Sequence, residues 1–162
     1  SSPSFGISSF IALITKKAVM SATQDYLMTT FVPYANIVSV AMTAGEFILK
    51  LRFEDLPYDP QQVELNEKQQ VYIQQFAALM KDRKDTRVKV CAISVPGDIG
   101  LPVGQKLTPE EIKTLKEIGD QREQAFKDHV VEQAQIESGR ILLCTPQIDS
   151  SKGAIPRMVI SV

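Results

Sequence analysis

The sequence holds one histidine, His129, and two cysteines, Cys91 and Cys144. A catalytic histidine needs an acid or a nucleophile within hydrogen-bond reach, and no such residue stands at a telling spacing from His129. A solvated or capping role suits it better. One histidine and two distant cysteines do not make a zinc site, so no metal and no cofactor is implied. Gly97, Gly100 and Gly104 are irregularly spaced and lack the Lys-Ser pair of a phosphate-cradling loop. Glu110 and Glu111 are accounted for by the dipole at a helix start. Cys91 and Cys144 fall on separate predicted strands. They would form a disulfide in an oxidising compartment if the strands bring their Cα atoms within reach, and otherwise remain two buried thiols. Nothing here argues for an enzyme.

Composition excludes further classes. The chain has 162 residues, 44% hydrophobic and 23% charged, as expected for one globular domain with or without an appendage. A net charge of −1 leaves no basic footprint for nucleic acid. Charge is unevenly spread: residues 1–45 contain only Lys16, Lys17 and Asp25. Such a stretch must be covered by the domain, by further chain or by lipid. It is too short in apolar run for a bilayer crossing, since Phe10–Ile14 ends at Lys16-Lys17. Its charges follow the apolar run, unlike those of a signal peptide. The abrupt Ser-Ser-Pro-Ser start reads as a fragment of a longer protein.

The elements that must position any site follow from periodicity. Ile7, Phe10, Ile11, Ile14, Ala18, Ala22 and Tyr26 recur at helical spacing, which predicts an apolar helix to about Met28. A break at Pro33 and the run Ile37-Val38-Ser39-Val40 leads to a weakly defined segment up to Gly45. Residues 46–53 alternate as a half-buried strand, ended by the prolines at 57 and 60. A helix is expected over residues 66–82 and a second strand over 87–95, buried on both faces and so central. After the glycine- and proline-rich loop 96–104, Thr108-Pro109-Glu110-Glu111 is a capping box. It starts a helix running to about Ala134, with Gly119 as a kink or break. Short strands at 140–144 and 156–162 close the chain. The fold class is therefore α+β, a β-α-β-α-β-β order with helices covering a sheet. The division expected is an apolar helical segment, 1–45, followed by an α/β domain, 46–162.

From Leu49 onward the chain resembles the OmpA-like, peptidoglycan-associated domain. Leu51-Arg52-Phe53, the segment Ile118–Phe126 followed by Val130-Val131, the turn Ile136–Ile141 and the tail Pro156–Ile160 carry the likeness. The whole chain is similar to the C-terminal part of a family of very large AsmA-like bacterial envelope proteins. There the pattern Phe5-x-Ile7-x-Ser9-x-Ile11-x-Leu13 and the segment Cys144-Thr145-Pro146-Gln147-Ile148-Asp149 are the matching features.

The resemblance implies a non-catalytic periplasmic module within a longer membrane-anchored envelope protein, in outer-membrane biogenesis or lipid movement. Its partners would be other envelope proteins or a membrane surface, reached through residues 5–40, and peptidoglycan. Binding members of the OmpA-like family hold a peptidoglycan carboxylate with an arginine on a helix and an aspartate at a strand end. Arg122 matches the arginine. Where the family shows Gly-His-Thr-Asp, this sequence reads Ala92-Ile93-Ser94-Val95, which puts Val95 at the aspartate position and leaves Asp98 nearby. Leu115 takes the place of a helix asparagine. The expectation is a degenerate peptidoglycan site at Arg122 and Asp98, with Arg122 paired to Asp98 or Asp120. The alternative is a working wall binder that uses Arg122 with Asp98 as substitute carboxylate.

Overall fold

The computed structural model describes Tyr34, residues 37–43 and residues 48–162. The apolar helix expected over residues 7–28 lies outside them. The first described elements are β1 (Val38–Thr43) and β2 (Ile48–Phe53), an antiparallel pair in which Val38 faces Phe53 and Thr43 faces Ile48. The boundary expected at 45/46 lies between these two strands, outside the described residues. The run of Ile37, Val38 and Val40 favours an extended backbone, because branching at Cβ restricts χ1 and suits a pleated surface. Ile37 and Val38 are buried in the same core as Phe53.

Next come β3 (Leu56–Pro57), α1 (Glu67–Asp82), β4 (Val88–Ser94) and a short 3-10 turn, Pro96–Ile99. They are followed by α2 (Pro109–Asp128), a π turn (His129–Gln133), a second 3-10 turn (Ser138–Arg140) and β5 (Ile141–Leu143). The last elements are β6 (Gln147–Ile148) and β7 (Arg157–Ser161). The main sheet runs β3-β7-β4, with β5 and then β6 both parallel to β4 along its free edge. β7 is antiparallel to β4 and to β3. This is the expected α+β class with β1, β3 and β6 added, and the strand expected first, β2, pairs with β1 outside the main sheet.

Each helix starts where its sequence says it should. Asn66 and Gln69 form a reciprocal capping box on α1, and Thr108 and Glu111 form one on α2. Tyr72, Ile73, Phe76, Leu79 and Met80 give α1 a buried stripe. Phe76 sits at the centre, with its ring 5.6 Å from Phe53 and 5.7 Å from Phe126. The carbonyls at the end of α1 are met by Arg140. Its guanidinium donates to Met80 O, Arg83 O and Thr86 O, and so ties the start of β5 to the helix end.

Two expectations need correction. β4 is central but not buried on both faces: Val88, Val90, Ala92 and Ser94 are buried, while Lys89 is exposed and Cys91 and Ile93 are partly so. Helices cover one face, and the other lies open enough for a lysine head. α2 runs unbroken through Gly119. A Cβ there would stand 2.5 Å from Pro146 Cβ, so its missing side chain lets the helix pass against the β5–β6 connection.

Candidate functional site

The buried stripe of α2 reads Leu115, Gly119, Arg122, Glu123 and Phe126. A guanidinium and a carboxylate thus sit at the centre of a face that normally carries only apolar groups. Arg122 is fully buried, with 0% of its surface exposed. Its Nη1 and Nη2 donate to the two oxygens of Asp98, at 3.0 and 2.6 Å. Its Nε donates to Gln62 O at 2.6 Å, and Nη2 also reaches Asp59 O at 3.4 Å. The guanidinium carbon lies 5.2 Å from the centre of the Tyr58 ring. Of the two acids expected as partners, Asp98 takes the arginine, while Asp120 is exposed.

Asp98 is held as completely. Besides the fork from Arg122, it accepts from the Val95 amide at 3.0 Å and the Gln61 amide at 2.9 Å. Burial by itself raises the carboxyl's pKa. The hydrogen bonds from Arg122, Val95 and Gln61 outweigh it and hold the group below the usual carboxylate range. Gln61 has φ +69, a left-handed backbone uncommon for a residue with a side chain. The 3-10 turn after β4 brings the Asp98 carboxylate back to the Val95 amide at the strand end.

Two clefts flank the ion pair without opening onto it. One of about 590 Å³ is lined by Leu56 to Asp59 and Asn66 to Gln69. The other, about 400 Å³, lies between Tyr58, Val95, Leu101, Val103 and Ile155. Arg122 and Asp98 line neither. The Tyr58 hydroxyl is buried and finds no hydrogen-bond partner among the described residues.

The remaining candidates sit apart from this pair. Cys91 and Cys144 are joined in a disulfide with Cα atoms 5.2 Å apart. The parallel register that pairs Val90 with Leu143 sets them side by side one residue later. His129 ends α2, partly exposed. Among the described residues no group of His, Cys, Asp or Glu could hold a metal ion, and no helix is long and apolar enough to cross a membrane. Sequence reasoning missed Glu123, which is buried and accepts from the Ala92 amide at 2.8 Å. Its place one residue beyond Arg122 on the buried stripe was the available signal.

No family model and no curated protein matches the sequence. Solved structures do match in shape. A putative MotB-like protein from Desulfovibrio vulgaris superimposes with a TM-score of 0.55 at 13% identity, covering 89% of this chain and 94% of that one. The fold is OmpA-like. The OmpA-like domain of FopA1 from Francisella tularensis also matches, with a TM-score of 0.51 at 15% identity over 77% of this chain and 81% of that one. At these identities the likeness concerns the OmpA-like fold alone, and the site has to be read from its own residues.

Proposed function

We propose that this chain is a non-catalytic, periplasmic structural or interaction module of a large cell-envelope protein, with its peptidoglycan site closed on itself. One observation carries the reading: the arginine that an OmpA-like domain would offer to a ligand carboxylate is already held by Asp98, with neither side chain exposed. An incoming carboxylate would have to displace a bidentate, charge-assisted pair and leave Asp98 buried without its partner. The resemblance to the C-terminal part of AsmA-like proteins supports a place in outer-membrane biogenesis or lipid transport. Contacts to other envelope proteins or a membrane surface would then fall on residues 5–40, apart from Tyr34, Ile37 and Val38, which are buried in the domain's own core.

The test is co-sedimentation of the purified chain with isolated peptidoglycan sacculi, beside an intact OmpA-like domain. The closed site predicts that the control is retained and this chain stays in the supernatant. Retention of the chain would overturn the reading in favour of a wall anchor. One feature favours that second reading: Asp98 does supply a carboxylate within salt-bridge reach of Arg122, as a rebuilt site requires.

A further inference from the structure

β5 is three residues long, and the ladder beside β4 breaks between Leu143 and Gln147. The disulfide lies at that break, since Cys144 donates its amide to Val90 O and Gln147 resumes the pairing. The same gap leaves the Ala92 amide without a strand partner, and the Glu123 carboxylate fills it. Glu123 Oε2 also lies 3.9 Å from Cys144 Sγ, within hydrogen-bonding distance for a thiol. A buried carboxyl group is thus fixed against one sulfur of a disulfide whose two cysteines are both partly exposed.

We propose that Cys91–Cys144 is an exchangeable disulfide, opened by a dithiol reductant, in which Glu123 gives its proton to the departing Cys144 sulfur. A thiolate of the reductant attacks Cys91 Sγ from the open face of the sheet, where Lys89 is exposed two residues away. A new S–S bond forms to Cys91, and the electron pair of the old bond goes to Cys144, which takes the Glu123 proton. The second thiolate of the reductant then closes on its own sulfur and releases Cys91, which is protonated from solvent. Two electrons pass from the dithiol to the protein, the dithiol becomes a disulfide, and Glu123 is reprotonated from water.

The carboxyl is suited to this role because burial, with Asp120 one turn away adding to it, pushes its pKa up to about 7 against the pull of the Ala92 amide. The groups that face it among the described residues are that amide from β4, the Cys144 sulfur beyond β5 and Asp120 on its own helix. Opening the bond would release the short β5 from the one covalent tie to its neighbour, so the edge of the sheet would respond to redox state.

The experiment is the rate of reduction by dithiothreitol between pH 5 and 9, corrected for the reductant's thiolate fraction, in the full chain and in Glu123→Gln. The amide keeps an acceptor for Ala92 but has no proton to give. In the wild type the corrected rate should fall about tenfold, with a midpoint near neutrality. Glu123→Gln should be about tenfold slower at the acid end and show no inflection. Equal profiles for the two proteins would overturn the proposal. So would a wild-type rate independent of dithiothreitol concentration, which marks a bond reached only by unfolding. Should Glu123→Gln not fold, the wild-type profile decides alone: no step near neutrality overturns the assignment.

Discussion

Arg122 and Asp98 are worth more as a pair than either is alone. Arg122→Ala leaves a carboxylate buried among backbone amides with its counter-charge gone, and such deletions typically cost about 3–5 kcal/mol. Urea denaturation should show that loss as a shift in midpoint at constant slope. A cost under about 1 kcal/mol would mean that water reaches the pair, and the closed-site reading would fail with it. Tyr58 tests the same pocket from the other side. Its hydroxyl is buried without a partner among the described residues, so Tyr58→Phe should be neutral or stabilising by about 1 kcal/mol while keeping the ring beneath the guanidinium. Destabilisation by that amount would reveal a bond that the hydroxyl makes. Part of this was legible in the sequence. Arg122 stood out from the resemblance, with Asp98 or Asp120 as its expected partner, but the burial of the pair did not. It depends on the carbonyls of Asp59 and Gln62, and backbone groups of a distant loop leave no mark in side-chain type.

The helices and long strands were readable because their signals are local. The capping box at Thr108, proline at 109 and the alternation through residues 46–53 each act within a few residues. Gly119 misled for a matching reason: glycine in a helix reads as a weak point unless its neighbour in space is known, and Pro146 lies 27 positions further along. β3 and β6, two residues each, exist only through pairing with β7 and β4 and carry no periodicity. The close approach yields a prediction. Gly119→Ala gains about 1 kcal/mol of helix propensity but drives a methyl into the Pro146 ring, an overpacking that costs about 1–3 kcal/mol. The net effect should be a lower thermal midpoint, and Gly119→Ala made with Pro146→Gly should recover part of it. A rise in midpoint for the single variant would show that α2 and the β5–β6 connection have room to separate. Arg140→Ala should cost about 2 kcal/mol by stripping three carbonyls around the end of α1 of their donor.

Asp98 and Glu123, the two buried acids among the described residues, pull stability in opposite directions with pH. Asp98 has its folded pKa held below the ordinary 3.8, so its contribution is present above that value and is lost as pH falls through the folded pKa. Glu123 runs the other way: its folded pKa, about 7, lies above the ordinary 4.5. Its contribution is complete below about 4.5 and is lost as pH rises through about 7. Acting together, the two groups place maximum stability in the mildly acidic range, on the acid side of the usual optimum. Urea midpoints measured from pH 3 to 9 on the oxidised protein should therefore climb from pH 3 and decline between about 5 and 8. Glu123→Gln should remove the decline and leave the acid limb unchanged, because Asp98 sits on a separate network around Arg122. A decline that survives in Glu123→Gln would place the titrating group elsewhere. If the acid limb moved as well, the two networks would be coupled through α2, which carries Arg122 and Glu123 as adjacent residues.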